Sequence, residues 1–546
     1  MTVSVTPTLT HVVIGGVMLP ITVGLYKLLR LLYQEWTSPL NILPRPPSSS
    51  FMLGNVKEIL DAEASEMQMK WVEKYGPTFM YKGFFGMSQL YTIDTKALHH
   101  MSMNYMLYQK PEALRYQLSK FIGEGLLLVE DERHKQQRRI MNPAFGPAQI
   151  REITEIFVER ALKLRDLWTS EIEKEGGKAR IEAMSWLSRM TLDVIGLAGF
   201  NYKFDALETD AKDNELNQAF SEAFHTGNKM GVVPIIRTIF PSLRWLPAAI
   251  DAPINKLQTT MNRIGGQLLS ESKTAILSGT DEKVGGKSQK DLLSILVRAN
   301  MSPDVAPHQQ MSDKDVLAQI PTFLAAGHET TSVATSWALF CLTQAPEVQA
   351  KLRDELMLIS TENPTMDELN SLHYLDFVVR ETLRLHPPLT ATLRVAMKDD
   401  IVPLAQPIKD HNGSIISDHL EVKEGQLISF GIMPLNSSTA IWGEDASEFR
   451  PERWNKVPEG ATHIPGIWGN SYTFLGGPRA CIGYRFAVVE MKAILFTLVR
   501  AFDFTLAVPP SDIGSKGVDP GMQRPIVRSE GTDNNQMPVF ITPYTV

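Results

Sequence analysis

The sequence predicts one large, mainly α-helical domain with a small β portion, placed behind one N-terminal transmembrane helix. Apolar residues recur at helical spacing through most of the chain, which indicates amphipathic and buried helices. Short apolar runs between prolines and glycines, at 502–507 and 537–541, indicate a small sheet near the C-terminus. The stretch from about Leu9 to Leu32 is mostly apolar, and at about 1.5 Å per residue it can cross a bilayer core of about 30 Å.

The N-terminal segment, residues 1–33, is interpreted as a retained single-pass membrane anchor. A cleaved signal peptide is the competing interpretation, but no Lys or Arg precedes His11 and no A-x-A cleavage site follows the apolar run. Lys27, Arg30 and Arg45 lie at or beyond the C-terminal end of the segment. The positive-inside rule therefore places the rest of the chain in the cytosol.

The remaining chain divides into a hinge and a main domain. Residues 34–50 are rich in proline and serine and are predicted to form a stiff hinge, because proline fixes φ and has no N–H to donate. Residues 51–546 form the main domain, in which no internal repeat is found. Its predicted elements are a β-hairpin at 78–93, helices at 151–175, 184–200 and 313–344, and a mobile loop at 278–290. Ser312, with Asp315 three residues later, resembles a capping box at the start of the third helix.

Composition narrows the classes of partner. The chain carries 54 Lys and Arg against 61 Asp and Glu, a formal charge of −7 with no long basic run, so a nucleic-acid partner is disfavoured. Only Cys341 and Cys481 are present, so there is no disulfide framework and a reducing compartment is favoured. Small molecules and membranes remain as partners.

Cys481 lies in a glycine-rich loop with the sequence FLGGPRACIG, residues 474–483, followed by an apolar helical run at 486–499. Glycines and a proline let the backbone come close to something flat, and N–H groups at the start of a helix stabilise a thiolate. A thiolate ligand pushes electron density onto haem iron and favours O–O cleavage. The alternative is a buried structural cysteine, the usual fate of a lone cysteine. The loop residues at these offsets disfavour that alternative.

The loop resembles the haem-binding signature of the cytochrome P450 family, F-x-x-G-x-R-x-C-x-G, and every defined position matches: Phe474, Gly477, Arg479, Cys481 and Gly483. Three further motifs are similar to those of the family and occur in its order and spacing: AGHETT at 326–331, E-x-x-R at 381–384 and FRPERW at 449–454. The resemblance covers nearly the whole chain and is closest in style to eukaryotic microsomal members, fungal ones in particular. It implies that residues 51–546 are a haem-thiolate catalytic domain.

The resemblance also assigns the residues around the cofactor, which it implies to be haem b with Cys481 as the iron ligand. Ala326 and Gly327 belong to the oxygen-binding groove, where Gly327 and Thr330 are expected to open the helix locally. Thr330 and Glu329 are expected to relay protons to the distal oxygen. The alternative for a threonine in the middle of a helix is a simple bond back to the carbonyl four residues earlier.

Glu381 and Arg384 lie on one helical face among apolar residues, which favours a buried ion pair over an exposed one. The resemblance adds Arg453, from the FRPERW motif, as the third member of a buried triad. The triad is assigned to folding and haem retention, with no part in chemistry.

The two haem propionates require cationic partners, because a buried charge without a counter-charge is costly. The candidates are Arg138, Arg394 and Arg479. His134 stands where the family's W-x-x-x-R motif has tryptophan, and its ring N–H can also donate to a propionate. The implied distal pocket is lined by mostly apolar segments at 105–121, 323–326 and 389–393, so a lipophilic substrate is expected.

The implied reaction inserts one oxygen atom of O2 into a C–H bond of a lipophilic molecule and releases the other as water. NADPH would act only through a separate membrane-bound reductase, and the chain would reside on the endoplasmic reticulum. Terpenoid, sterol and aromatic substrates of secondary or xenobiotic metabolism are all compatible with the sequence. A basic patch at Lys135, Arg139, Arg485 and Lys492 is either the docking face for the reductase or ordinary solvated surface.

Other functions are also considered. A haem-thiolate isomerase or dehydratase would need neither O2 nor a reductase, and the intact Glu329 and Thr330 count against it. A membrane-anchored haem sensor or carrier would have no use for a complete oxygen groove. Three glycosylation sequons, at Asn300, Asn412 and Asn436, should stay bare in a cytosolic domain.

Overall fold

The structure is a computed structural model, which describes residues 22, 26, 29–30, 32–33, 35–48, 50–208, 215–216, 232–239, 241–278, 291–303, 305–306, 309–409, 413–516, 521–531 and 535–545. The expected anchor at 1–33 and the expected loop at 278–290 lie almost wholly outside the described residues. Within the described part of the chain, no helix combines the length and the apolar character needed to cross a membrane.

Helices dominate the described chain. In order they are α1 Val56–Asp61, α2 Glu66–Tyr75, α3 Thr95–Met103, α4 Glu112–Ile122, α5 Asp131–Met141, α6 Pro147–Lys174, α7 Ala183–Phe200, α8 Val232–Ile239, α9 Asp251–Leu277, α10 Leu292–Asn300, α11 Asp313–Leu317, α12 Gln319–Gln344, α13 Pro346–Leu356, α14 Met366–Ser371, α15 His373–Leu385, α16 Met433–Asn436, α17 Thr439–Trp442, α18 Glu459–Thr462 and α19 Tyr484–Ala501. The helices predicted at 151–175 and 184–200 are confirmed as α6 and α7.

The strands form small sheets. They are β1 Thr78–Lys82, β2 Ser88–Thr92, β3 Tyr108–Gln109, β4 Ala179–Glu182, β5 Ala391–Ala396, β6 Asp400–Lys409, β7 Ile415–Val422, β8 Leu427–Gly431, β9 Phe502–Leu506, β10 Ile513–Lys516, β11 Arg524–Val527 and β12 Pro538–Pro543. The largest sheet has the order β1-β2-β8-β5-β3, and the others are β4-β12-β9, β6-β7 and β10-β11. The predicted hairpin is confirmed as β1 and β2, with Thr78 opposite Thr92. The C-terminal sheet is confirmed by the antiparallel pairing of β12 with β9.

α12 runs through the larger of two hydrophobic cores, where it packs against α7, α15 and α19. Its buried hydroxyl side chains bond to carbonyls one turn back, as in Thr335 to Thr331 O and Ser336 to Ser332 O, both at 2.8 Å. These bonds satisfy polar groups that would otherwise be costly in a core. The expectation that this helix crosses the core is confirmed.

The predicted helix at 313–344 is in fact two helices, which meet at Ala318. The capping box is confirmed, since the Ser312 hydroxyl accepts from Asp315 N and the Asp315 carboxylate accepts from Ser312 N. Pro321 explains the break. Proline has no N–H to donate to the carbonyl of Leu317 four residues earlier, so the first helix ends there.

The smaller core lies under the β1-β2-β8-β5-β3 sheet. Phe79 and Tyr91 stack there with ring centroids 4.9 Å apart, and Trp71 of α2 packs edge-on against Phe79. The loop that carries Cys481 joins the two cores. Phe474 belongs to the helical core, whereas the next residue, Leu475, packs against the sheet core.

Candidate active site

The Cys481 loop is a compact turn that ends at the start of α19. Cys481 N donates to Phe474 O at 2.9 Å, and Ala480 N donates to Gly477 O at 3.1 Å. The Phe474 ring is buried between Trp468 and Tyr484, with centroid distances of 5.6 and 6.0 Å. The backbone and an aromatic anchor therefore hold the loop in place.

Two glycines in this loop are required by close approach of the backbone. A Cβ on Gly477, which has φ of +66°, would lie 2.5 Å from Ser102 O. A Cβ on Gly476 would lie 1.8 Å from Pro465 O. Gly483 differs, because a Cβ there would meet only the Phe145 ring at an ordinary 3.8 Å. The prediction that glycine builds a tight loop is confirmed for the first two positions.

The two cysteines have different surroundings. Cys341 is buried, whereas the side chain of Cys481 is accessible. Cys481 nevertheless lies deep enough for burial to raise the pKa of its thiol, and the Gly483 N–H and the Arg138 guanidinium oppose that rise. Cys481 is therefore the cysteine whose sulfur faces an open space inside the protein.

A cluster of basic side chains surrounds this space, drawn from α4, α5, β5, the Cys481 loop and the segment before α4. Its members are Lys110, Arg115, His134, Arg138, Arg394 and Arg479. Burial and the charges of Arg394, Arg479 and Arg115 lower the pKa of Lys110 well below its usual value. Burial, with Lys110 and Arg138, lowers the pKa of His134 to about 4, so this ring is neutral near pH 7.

One carboxylate, Glu130, lies within this cluster. It pairs with Arg479 and approaches Lys110 Nζ at 3.9 Å. Two buried donors, His134 Nδ1 and Arg115 Nε, have no hydrogen-bond partner among the described residues. A cluster with this excess of positive charge fits a ligand that brings two further carboxylates close to Cys481. Haem has that chemistry, so the residues present fit the cofactor expected from the sequence.

The three arginines predicted to bind the propionates are brought together, each already tied to the protein. Arg138 donates to Ala480 O at 2.6 Å and to Asn142 Oδ1 at 3.0 Å. Arg479 donates to Val129 O at 2.7 Å. Arg394 donates to Thr392 Oγ1 at 2.8 Å and to Leu393 O at 2.7 Å. These bonds fix the guanidinium groups before any ligand arrives.

Sequence reasoning missed Lys110 and Arg115, which belong to the same cluster. Both fall in the 105–121 segment, which was assigned to the apolar distal pocket. Two basic residues in an otherwise apolar segment were the available signal. Only the fold shows that they face His134, Arg394 and Arg479.

The oxygen groove on α12 differs from the expectation. Gly327 and Thr330 were expected to open the helix locally, but α12 is continuous across both residues. The Thr330 hydroxyl donates to Ala326 O at 2.7 Å, one turn back, without displacing the backbone. A Cβ on Gly327 would lie 3.0 Å from the Ile195 side chain of α7, so this glycine permits close packing of two helices. Ala326 is exposed, and Glu329 pairs with Arg524 of β11.

The buried triad is confirmed in its geometry. The Arg384 guanidinium donates to both oxygens of Glu381, at 2.8 and 2.9 Å, and both side chains are 0% exposed. Arg453 Nε donates to Glu381 Oε1 at 3.3 Å. The remaining donors of Arg384 reach the carbonyls of Asn436, Ala446 and Glu448. The triad therefore joins α15 to the segments that lead to the Cys481 loop.

The predicted basic patch is wrong in one member. Lys492 is buried and donates to Asp376 Oδ1 at 2.8 Å and to Asn370 Oδ1 at 3.0 Å. It lies on the face of α19 that packs against α14 and α15, where an internal carboxylate compensates its charge. Lys135, Arg139 and Arg485 are exposed.

Comparison with known proteins agrees with these features. The family model for cytochrome P450 matches residues 44–520. Cytochrome P450 monooxygenase 205 of Postia placenta is 52% identical over 543 residues, covering 99% of each chain. Monooxygenase 128 of the same fungus is 50% identical, covering 94% of this chain and 95% of the relative. A ganoderic acid synthetase of Ganoderma lucidum is 33% identical, covering 90% and 93%.

Proposed function

The chain belongs to the cytochrome P450 family and is a monooxygenase, and from this premise we propose that it oxidises a lipophilic small molecule with electrons delivered from NADPH by a separate reductase. The observation that carries the proposal is the position of Cys481. Its sulfur is accessible beside a basic cluster that holds one carboxylate, and no other cysteine of the chain is accessible.

The residues around the cavity divide the work of holding the cofactor. The Cys481 sulfur would ligate the iron, and the basic cluster would bind the two propionates. His134 has an unpartnered Nδ1 and stands ready to donate to one of them. When bound, the haem supplies the activation of O2. The overall reaction is RH + O2 + NADPH + H⁺ → ROH + H2O + NADP⁺.

We assign proton transfer to Thr330 and Glu329. The Thr330 hydroxyl lies on α12 and donates to Ala326 O, so it can accept a proton at Oγ1 while it passes its own onward. Glu329, the preceding residue, is the acid that would resupply it. General acids placed in this way contribute about 10²- to 10⁴-fold in rate. An isomerase or a haem sensor would not need this pair, and the relatives named monooxygenases also favour oxygenation.

The class of substrate follows from the lining of the expected distal side. Phe323 of α12 is buried between Phe145 and Phe200, with ring centroids 5.4 and 6.3 Å away. Aromatic and aliphatic surfaces favour a lipophilic ligand, such as a terpenoid, a sterol or an aromatic compound. The relative named ganoderic acid synthetase supports a role in fungal secondary metabolism; xenobiotic substrates fit the same lining.

We also propose that the chain acts on the endoplasmic reticulum, with residues 1–33 as a single-pass anchor and the catalytic domain in the cytosol. The support is the apolar run at 9–32 and the Lys and Arg residues that follow it. Asn436, one of the three sequon residues, is fully buried, and its side chain bonds to Thr473 Oγ1 and Tyr472 N. Asn412 lies outside the described residues. Reductase docking is assigned to the exposed Lys135, Arg139 and Arg485.

The experiment that tests the proposal is the absorption spectrum of the reduced, carbon-monoxide-bound protein. We expect a strongly red-shifted Soret band in the wild type and its loss in Cys481→Ser, because only a thiolate ligand produces that shift. Cys341→Ser is the matched control and should keep the band, since Cys341 is buried away from the site. Circular dichroism shows whether each variant folds. A band at the position of histidine-ligated haem in folded wild-type protein would refute the proposal.

A further inference from the structure

Glu329 does not stand alone in the groove. Arg524, on β11, donates to it through both Nε, at 2.7 Å, and a terminal nitrogen. Both donors reach the same carboxylate oxygen, Oε1. Among the described residues, no hydrogen bond is formed by Oε2, so the two oxygens of Glu329 have different surroundings.

The arginine is held rigidly by its neighbours. Gln523 O, one residue earlier, accepts from Trp337 Nε1 of α12 at 2.7 Å. Gln523 N donates to Pro388 O, in the turn after α15, at 2.8 Å. Trp337 is itself buried and stacks on His386 at a centroid distance of 4.4 Å with nearly parallel rings. The chain next to Arg524 is thus tied to α12 two turns beyond Glu329.

The ion pair is only slightly accessible, with side-chain exposures of 22% for Arg524 and 14% for Glu329. The other titratable group beside it is His328, whose pKa is lowered by burial. His328 therefore contributes no positive charge near neutral pH. Arg524 is the cation that orients the Glu329 carboxylate.

We propose that Arg524 is a positioning residue for proton delivery, which occupies Glu329 Oε1 and leaves Oε2 to exchange protons with water and with Thr330. The inference rests on the proposed monooxygenase function. A carboxylate that can rotate offers the proton from variable positions, whereas one fixed by two N–H donors offers it from one. Arg524 acts through Glu329 and needs no contact with the substrate.

The distribution of electrons from NADPH gives the test, because it needs no identified substrate. With reductase present and substrate absent, two outcomes compete: NADPH + H⁺ + O2 → NADP⁺ + H2O2, and 2 NADPH + 2 H⁺ + O2 → 2 NADP⁺ + 2 H2O. Timely proton delivery favours the second. We expect Arg524→Gln to raise the H2O2 formed per NADPH at least about twofold, within the range that general-acid catalysis allows. Arg524→Lys should restore most of the wild-type ratio.

A double variant separates action through Glu329 from a general effect. In the Glu329→Gln background, adding Arg524→Gln should leave the H2O2 ratio unchanged. The same logic applies to urea unfolding of the holoprotein, where the two single midpoint shifts should add to more than the shift of the double variant. Arg528→Gln is the matched control, since Arg528 lies four residues on and pairs with the exposed Glu63. It should not change the H2O2 ratio.

Two results would overturn the inference: an unchanged H2O2 ratio in Arg524→Gln, or an equal change in both backgrounds. Failure of the proposed function looks different. In that case, folded wild-type protein lacks the red-shifted carbon monoxide band or consumes no NADPH with reductase. The band should be intact in Arg524→Gln, which shows that the variant retains its haem and its thiolate.

Discussion

Glu381 is the single side chain whose loss should cost the most stability. It is fully buried and accepts from Arg384, Arg453 and the Trp454 indole N–H, so its removal leaves two guanidinium groups without their shared carboxylate. Breaking a buried pair on one side costs about 3–5 kcal/mol. We expect Glu381→Leu to lower the free energy of unfolding by about that amount in urea titration, with early loss of the red-shifted carbon monoxide band.

The control is a pair with the same three-residue spacing on a helix surface. Lys174 and Glu171 lie 2.7 Å apart, with side-chain exposures of 69% and 35%. An exposed pair of this kind contributes at most about 1 kcal/mol. Glu171→Leu should therefore shift the urea midpoint little. Equal shifts for the two variants would show that burial of the triad does not govern its contribution.

At the scale of elements, the contact between α12 and α19 contains a buried acid. Glu490, on α19, is 0% exposed, and neither carboxyl oxygen forms a well-aligned hydrogen bond with a described residue. Burial raises the pKa of Glu490 well above its usual value, although the nearby Thr331 hydroxyl of α12 opposes the rise. Near pH 7 the side chain is therefore a neutral acid between two helices.

This raised pKa makes the packing of α12 on α19 dependent on pH. A group whose pKa is higher in the folded state stabilises the fold below its unfolded pKa, about 4.3 for Glu, and loses that contribution as pH rises. Glu490→Gln removes the titration and keeps the shape. We expect the variant to gain on the wild type by roughly 1 kcal/mol for each pH unit above the unfolded pKa, until the folded pKa is reached.

Urea unfolding of both proteins between about pH 5 and pH 8 measures this difference. Glu73→Gln, an exposed position on α2, is the control and should give a difference that does not depend on pH. A constant difference between Glu490→Gln and the wild type over the same interval would mean that Glu490 is ionised in the folded protein.

At the scale of the whole molecule, the basic cluster joins the helical core to the sheet core at a cost in repulsion. Arg138 and His134 belong to α5, Arg115 to α4 and Arg394 to the large sheet. Without the haem carboxylates, these charges oppose the approach of the two cores. Haem binding should therefore stabilise the fold both by occupying the site and by neutralising the cluster.

Arg115→Gln should consequently have opposite effects on two forms of the protein. Removing one positive charge should raise the urea midpoint of the haem-free protein, and it should speed the loss of haem from the holoprotein. The haem-free wild type should also gain more stability from added salt than the holoprotein, because screening shortens from about 10 Å at 0.1 M to about 3 Å at 1 M. Arg244→Gln, whose guanidinium pairs with Glu112 on the same helix as Arg115, is the control. A fall in both midpoints would contradict the role assigned to Arg115.

Several features could be predicted from sequence because they depend on neighbouring residues. The capping box at Ser312 needs only residues three apart, and the glycine pattern around Cys481 describes a loop of ten residues. The break at Ala318 was also written locally, in the missing N–H of Pro321, but the apolar pattern continues across it and concealed the break. The burial of Lys492 could not be read locally, because Asp376 lies on another helix.

By itself, the sequence determined the helical class, the hairpin at 78–93 and the identity of Cys481 as the candidate ligand, since each follows from periodicity, turn residues or a short motif. Only the tertiary structure decided which basic residues share a cavity, that Glu329 pairs with Arg524 and that Glu490 meets α12 as a buried acid. Those contacts join segments up to about 350 residues apart, as in Arg479 with Val129. Charge and burial at such distances along the chain are properties of the packed elements, and no local pattern encodes them.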